Sequence, residues 1–289
     1  DAYNVAVGYQ AGVSVSTGIK NTLIGGLAGD ALNGGANNVA VGYAALSAED
    51  GHSANVAIGY QALTAQNAGA DAYNVAVGYN AGVAVTTGTE NTLIGGGAGD
   101  ALTSGGRNTA IGYEALSAED ETGYAVAVGY QALRAQNSGG NSYNVAVGYN
   151  AGESVSTGIE NTLLGGKAGD ALTTGSYNVA IGMDALDAED TGSRNVAIGY
   201  NSLKALNYDG NGYNVAVGFD AGKAVSTGIY NTIIGGLAGD ALTTGSNNIA
   251  IGYLALSAEN AHGKNIAIGV NALAVQDAGV DAYNVAIGY

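Results

Sequence analysis

The chain has 289 residues, among them 50 glycines and 19 tyrosines, and it contains no proline, cysteine or tryptophan. Its net charge of −16 and its eight scattered Lys and Arg residues disfavour nucleic acid as a partner, because phosphate binding needs clustered cations. The acidic balance also disfavours anionic membranes, and no apolar run predicts a membrane span. The lack of cysteine excludes disulfides and thiolate metal sites.

The first predicted element is a nonamer of the form Asn-x-Ala-Val/Ile-Gly-Tyr-x-Ala-Gly/Leu, which opens at Asn4 and recurs along the whole chain. Successive copies are 17, 17, 17 and 19 residues apart, and this series repeats four times. The superrepeats are therefore 4–73, 74–143, 144–213 and 214–283, followed by a partial coil at 284–289. Since no linker interrupts them, we expect 1–289 to be a single repeat domain.

Each repeat is predicted to form one coil of a parallel β-solenoid. Val5-Ala6-Val7 and its equivalents are β-prone runs that end at glycine, whereas frequent glycine disfavours helix. We expect a strand of about five residues, a glycine bend, and a second extended stretch from Ala11 to Ser16. The predicted fold class is thus all-β, a β-roll or β-helix of about 16 coils with 17-17-17-19 residues per coil.

Parallel stacking places equivalent residues over one another, so each repeated position predicts a ladder. The fourth residue of the nonamer is always aliphatic and is predicted to line the interior, while the fifth is always glycine and indicates a positive φ or a close backbone approach. The first residue, nearly always Asn, either bonds from coil to coil or caps a local turn. The ladders begin with Asn4, Asn21, Asn38 and Asn55; Val7, Ile24, Val41 and Ile58; and Gly8, Gly25, Gly42 and Gly59.

The third position of the nonamer is Ala in most coils but large in one coil of each superrepeat. In those coils the aromatic residue at the sixth position is replaced by glycine, which we interpret as packing compensation. The large residues are Leu23, Leu93, Leu163 and Ile233, and the glycines are Gly26, Gly96, Gly166 and Gly236.

Both faces of the predicted strand are apolar, although a solenoid wall exposed to water should alternate apolar and polar residues. We expect the second face to be buried against other copies of the chain, most simply in a parallel trimer. The alternative is a narrow coil that buries both faces within itself.

Acidic side chains recur in one loop of each superrepeat and, one coil earlier, as a single aspartate. Oxygen-rich clusters of this kind either bind Ca²⁺ or form a solvated acidic face, and the sequence favours the solvated face, with no metal or other cofactor. The calcium candidates are Asp30, Glu49, Asp50, Asp100, Glu119, Asp120, Asp170, Glu189 and Asp190.

Tyrosines precede the Asn that follows each longer loop. Exposed tyrosine rows can stack on sugars, but a structural role in covering the two-residue insertion is favoured. No nucleophile elbow or phosphate-binding loop is present, so the chain is not expected to be an enzyme. These tyrosines are Tyr3, Tyr73, Tyr143, Tyr213 and Tyr283.

The motif Asn-Val-Ala-Ile-Gly-Tyr-x-Ala-Leu at Asn55 to Leu63, which recurs at Asn195 to Leu203 with Ser202 in place of Ala, resembles the head repeats of YadA-type trimeric autotransporter adhesins. It is also similar to repeats of phage tail fibres and of surface proteins that end in an endosialidase-type chaperone. The resemblance implies a left-handed β-roll, a homotrimer and binding to host glycans or matrix proteins. The coils here are longer than those of the adhesin heads.

The expected function is a structural or adhesive module, the shaft or head of a fibre that mediates surface attachment or display. Its expected location is extracellular, on a cell surface or on a virion. The alternative is a self-assembling filament subunit whose uncapped coils join end to end.

Overall fold

The structure, a computed structural model, describes residues 2–121 and 123–289, so that Asp1 and Thr122 lie outside the described residues. The chain divides into two compact units, Asp1–Tyr143 and Asn144–Tyr289. In the described part of each unit the regular elements are three-residue strands and the fold is a parallel β-solenoid, which confirms the all-β prediction.

The described residues of the first unit form eight strands: β1 (Val5–Val7), β2 (Thr22–Ile24), β3 (Val39–Val41), β4 (Val56–Ile58), β5 (Val75–Val77), β6 (Thr92–Ile94), β7 (Thr109–Ile111) and β8 (Val126–Val128). The second contains nine: β9 (Val145–Val147), β10 (Thr162–Leu164), β11 (Val179–Ile181), β12 (Val196–Ile198), β13 (Val215–Val217), β14 (Thr232–Ile234), β15 (Ile249–Ile251), β16 (Ile266–Ile268) and β17 (Val285–Ile287).

Neighbouring strands within each unit pair in parallel, with equivalent residues of the repeat opposite one another. In the first pair Ala6 lies opposite Leu23 and Val7 opposite Ile24. The predicted ladders of equivalent residues are therefore confirmed within each unit.

The prediction of a second extended stretch from Ala11 to Ser16 is wrong. The Val13 N–H donates to Gln10 O over 3.2 Å and the Val15 N–H to Gly12 O over 3.0 Å, so the segment consists of consecutive turns. The cause is local, because Gln10 and Gly12 have φ values of 54° and 58° and the left-handed conformation curls the chain.

The sequence predicted that the fourth residue of the nonamer lines the interior of the solenoid. This prediction is wrong, because the third residue lines it. Leu23 and Ala40 are fully buried, whereas Ile24 and Ile58 point outward and are 39% and 37% exposed. The physical reason is width, because a coil of 17 residues leaves room inside for Ala but not for a full column of Val and Ile.

The larger interior residues fit because glycines face them. These glycines are not the ones at the sixth position of the nonamer, so the predicted packing compensation is wrong. A Cβ atom at Gly12 would lie 2.6 Å from Leu23 Cδ1, and one at Gly29 would lie 2.8 Å from Leu23 Cδ2. Gly26 belongs to the sixth position, whose aromatic side chains are exposed. Its missing side chain therefore does not make room for Leu23.

The glycine at the fifth position of the nonamer is required by both conformation and space. Gly59 has a φ of 140°, and a Cβ atom there would lie 2.1 Å from Gly78 O. Real Cβ contacts do not come so close, so the predicted role of this column is confirmed.

The Asn column both links coils and closes each coil, so its two predicted roles occur together. Asn91 is fully buried; its Oδ1 accepts from the Asn108 N–H over 3.0 Å, and its Nδ2 donates to Gly105 O over 2.9 Å. The Asn91 N–H in turn donates to Asn74 Oδ1 over 2.8 Å. Buried backbone groups that no strand partner reaches are satisfied in this way.

The residue just before each Asn of the ladder is left-handed although it is not glycine. Examples are Lys20 with a φ of 58°, Ala54 with 65° and Arg107 with 62°. Further left-handed residues follow the sixth position, for example Leu27 with a φ of 59°. Every coil thus carries conformations that L-residues disfavour in isolation.

Candidate interaction surface

The outward face of the sheet in each unit is apolar. Its two columns are the second and fourth residues of the nonamer, which are Val, Ile, Thr or Leu. In the first unit Ile94 is 36% exposed, and in the second Ile234 is 37% exposed. Eight strands about 4.8 Å apart extend this face over about 34 Å in the first unit. Monomers seldom leave a contiguous apolar face of this length uncovered.

A column of exposed aromatic rings borders the outward face at the sixth position of the nonamer. Tyr43 stacks on Tyr60 with ring centroids 5.5 Å apart, and Tyr60 stacks on Tyr79 at 5.3 Å. A second stack joins Tyr113 to Tyr130 at 5.5 Å. The rings follow the strand spacing, so the register of the sheet determines their separation.

The tyrosines that precede Asn form another exposed column together with cationic residues. Tyr143 stacks on Tyr124 at 5.1 Å, and the Arg107 guanidinium lies over the Tyr124 ring at 5.4 Å. Arg107 Nε also lies 2.8 Å from Glu90 Oε2. Side chains of this column therefore contact their neighbours on adjacent coils, and Tyr3, Tyr73 and Tyr283 are likewise exposed members of it.

The predicted solvated acidic face is wrong for its glutamates, because they are fully buried. Glu49 Oε1 accepts from the His52 N–H over 3.0 Å, and Glu189 Oε1 accepts from the Gly192 N–H over 2.8 Å. Each carboxylate thus closes a loop from inside. Burial, opposed by these backbone bonds, raises the pKa of Glu189 to about 7. The buried set is Glu49, Glu119, Glu189 and Glu259.

Of the calcium candidates in the described part of the chain, Glu49 and Asp50 come together in a group of three potential ligands, and its third member is His52, which the prediction did not include. Among the described residues, the two groups of three potential ligands are Glu49 with Asp50 and His52, and Glu259 with His262 and Asp277. In the first group His52 Nδ1 lies 2.8 Å from Glu49 Oε1, so these two side chains pair with each other. The spacing Glu-x-x-His was the signal for this pairing, and the sequence analysis missed it.

The remaining acidic candidates lie outside those two groups in the described part of the chain. Asp30, Asp100 and Asp170 occupy one column of a different turn, and Glu119, Asp120, Glu189 and Asp190 join no group of three. Asp170 is hydrogen-bonded to Asp187 one coil later. Burial and this acidic neighbour raise the pKa of Asp170 to about 7.

In comparisons with protein-family models, curated proteins and solved structures, nothing matches this chain. Across residues 2–121 and 123–289 there is no helix with the length and apolar character needed to span a membrane.

Proposed function

We propose that the chain is a structural and adhesive module of an extracellular, cell-surface or virion fibre, and that it works as a homo-oligomer without catalytic activity. The observation that carries this proposal is the outward apolar face, which is built from two columns of mostly β-branched residues in each unit. Such a face is energetically costly in water and is suited to a second copy of the same regular surface.

The interior gives independent support for a structural role over a catalytic one. Fully buried asparagines such as Asn38 and Asn91 satisfy backbone groups of the next coil, and the glycine column fixes the approach of neighbouring coils. Repeated contacts of this kind stabilise an extended repeat by nearest-neighbour terms. Three copies related by a threefold axis would bury the apolar faces with closed symmetry.

The test is the mass of the intact chain in solution, measured by light scattering after size exclusion. A trimer has three times the chain mass of 28.2 kDa, whereas a monomer would overturn the oligomeric part of the proposal. A mass that grows with concentration would instead favour the end-to-end filament.

A pair of lysine substitutions tests whether the outward face is the contact surface. Ile58→Lys puts a charge on the face, and Ala70→Lys puts the same charge on an exposed loop. We expect Ile58→Lys to weaken assembly by at least about tenfold and Ala70→Lys to leave it unchanged, because a buried unpaired charge is costly. Equal effects of the two substitutions would exclude this face as the interface.

A further inference from the structure

One interruption of the aromatic column forms a slot. In the first unit Gly96 stands at the sixth position between the stacks that end at Tyr79 and begin at Tyr113. Tyr79 is 63% exposed, compared with 44% for Tyr60, which has a ring on both sides. The face of Tyr79 that would meet a ring from residue 96 is therefore open.

The slot has a defined volume and polar lining. It encloses about 260 Å³ between Tyr79 and Tyr113, with Gly96 and Gly97 as its floor. Asp100 and Glu114 line it as well, and Asp100 Oδ2 lies 3.5 Å from where a Cβ atom of Gly97 would stand. Burial and the neighbouring Glu114 raise the pKa of the Asp100 carboxyl.

An unsatisfied acceptor lies at the same place. Asn80 lines the slot, and its Oδ1 is buried without a hydrogen-bond partner. A buried acceptor without a partner costs free energy, and a small rotation of the Asn80 amide would let a donor in the slot recover it.

Neither packing nor backbone conformation explains the glycine at position 96. A Cβ atom there would lie 3.6 Å from Tyr113 Cδ2, an ordinary contact, and Gly96 is not left-handed. The large interior residue of this coil, Leu93, is accommodated by Gly82 and Gly99 on the other side of the strand. The space at Gly96 is thus free for a ligand.

We propose that this slot binds the pyranose ring of a neutral sugar. Adjacent rings of the column lie 5.3–5.5 Å apart, so the gap of two coils leaves room for one six-membered ring between Tyr79 and Tyr113. Glu114 Oε2 already accepts from Gln131 Nε2 over 2.7 Å, which leaves Asp100 and Asn80 Oδ1 as the acceptors for a ligand. They favour a ligand that is rich in donors, and an array of sugar hydroxyls is one. Anionic sugars and phosphates would meet two carboxyl groups and are disfavoured.

The neighbouring position explains why the slot is deep in this superrepeat. Gly97 has a φ of 65°, and the equivalent positions hold Leu27 with a φ of 59° and Leu237 with 56°. Leucine is therefore compatible with the backbone here, and its side chain would fill the floor of the slot. Gly97→Leu is thus a change that removes the cavity and keeps the coil.

The experiment measures binding of methyl glycosides of glucose, galactose, mannose and N-acetylglucosamine to the full chain by saturation-transfer NMR and calorimetry. We expect at least one to bind with a Kd near 1 mM or tighter, and glucuronate to bind at least about tenfold more weakly. If none binds below about 10 mM, or if phenol binds and the sugars do not, the sugar assignment is overturned.

Three variants locate the binding. Gly97→Leu and Gly96→Tyr fill the slot and are each expected to weaken binding at least about tenfold. Gly236→Tyr makes the same change at the equivalent site of the second unit, where a Cβ atom would lie 3.6 Å from Tyr253 Cδ2, and should leave binding unchanged. Undiminished binding in both slot variants, with unchanged melting temperatures, would overturn the proposed site.

The slot belongs to one chain, and only its role in attachment rests on the proposed function. Light scattering of the same samples separates the two ideas. If the chain is a monomer that binds sugar, the proposed homo-oligomer is overturned and the proposed sugar site stands. If the chain is an oligomer that binds no sugar, the sugar site is overturned and the homo-oligomer stands.

Discussion

The Asn ladder yields the sharpest prediction on stability, and Asn91→Ala is the perturbation. The substitution deletes two bonds made by a fully buried side chain, from the Asn108 N–H and to Gly105 O. Alanine is smaller than asparagine, so it causes no clash. The loss therefore comes from two backbone groups that remain buried without partners.

The magnitude follows from the number of groups left unsatisfied. Each buried polar group without a partner costs about 1–3 kcal/mol, so Asn91→Ala should lower the free energy of unfolding by about 2–6 kcal/mol. Asn67→Ala is the matched control, because Asn67 lies exposed in a loop of the same unit. A surface change of that kind is expected within about 0.5 kcal/mol.

Hydrogen exchange of the Asn108 amide, together with urea unfolding at fixed protein concentration, provides the measurement. Exchange at Asn108 should accelerate in Asn91→Ala, since its acceptor is gone, and the urea midpoint should fall. If Asn91→Ala and Asn67→Ala give the same midpoint and the same exchange, the ladder does not stabilise the solenoid and the reasoning is refuted.

Two further predictions concern the glycine column and the buried acids. Gly59→Ala should lower the melting temperature strongly, because its Cβ atom would stand 2.1 Å from Gly78 O at a φ of 140°. Gly51→Ala is the control and should leave the melting temperature nearly unchanged, because a Cβ atom there has nothing within 4 Å. Equal melting temperatures of the two variants would contradict this reasoning. Burial raises the pKa of Glu189 from 4.5 to about 7. The contribution of Glu189 to the stability of the fold is therefore fully present below about pH 4.5 and is lost as the pH rises through about 7. Glu189→Gln should therefore reduce the fall in melting temperature between about pH 5 and about pH 8. Adding Asp170→Asn should reduce this fall further, since the pKa of Asp170 is also raised to about 7. If the melting temperature of both variants falls with pH as it does in the unchanged chain, these buried carboxyl groups do not titrate as described.

The repeat predicted the coil, the register and the glycine column, because these depend on spacing alone. It did not predict which face points inward, since strand alternation separates two faces without ranking them. The deciding cue was size. Ala40 and Ala57 suit a narrow interior, whereas Ile24 and Ile58 do not.

The buried glutamates escaped prediction for a different reason. Charge and loop position suggested solvent exposure for Glu49 and Glu189, yet each finds backbone N–H donors three residues later inside the turn. From the sequence, the glycine at position 96 was interpreted as compensation for the large residue Leu93. The structure shows that Leu93 points to the opposite side of the strand, so Gly96 does not make room for it. Such side-chain directions depend on how the coil closes, which the spacing of residues does not determine.

The left-handed residues in each coil have a consequence for how the chain reaches its fold. A non-glycine residue in this conformation costs roughly 1–2 kcal/mol, and one coil holds up to three, for example Ala54, Gln61 and Leu63. A solitary coil is thus expected to be unstable, whereas a coil laid on an existing neighbour gains the ladder bonds that offset this cost. Folding within each unit should accordingly have a slow nucleation step, followed by rapid zippering from one coil to the next.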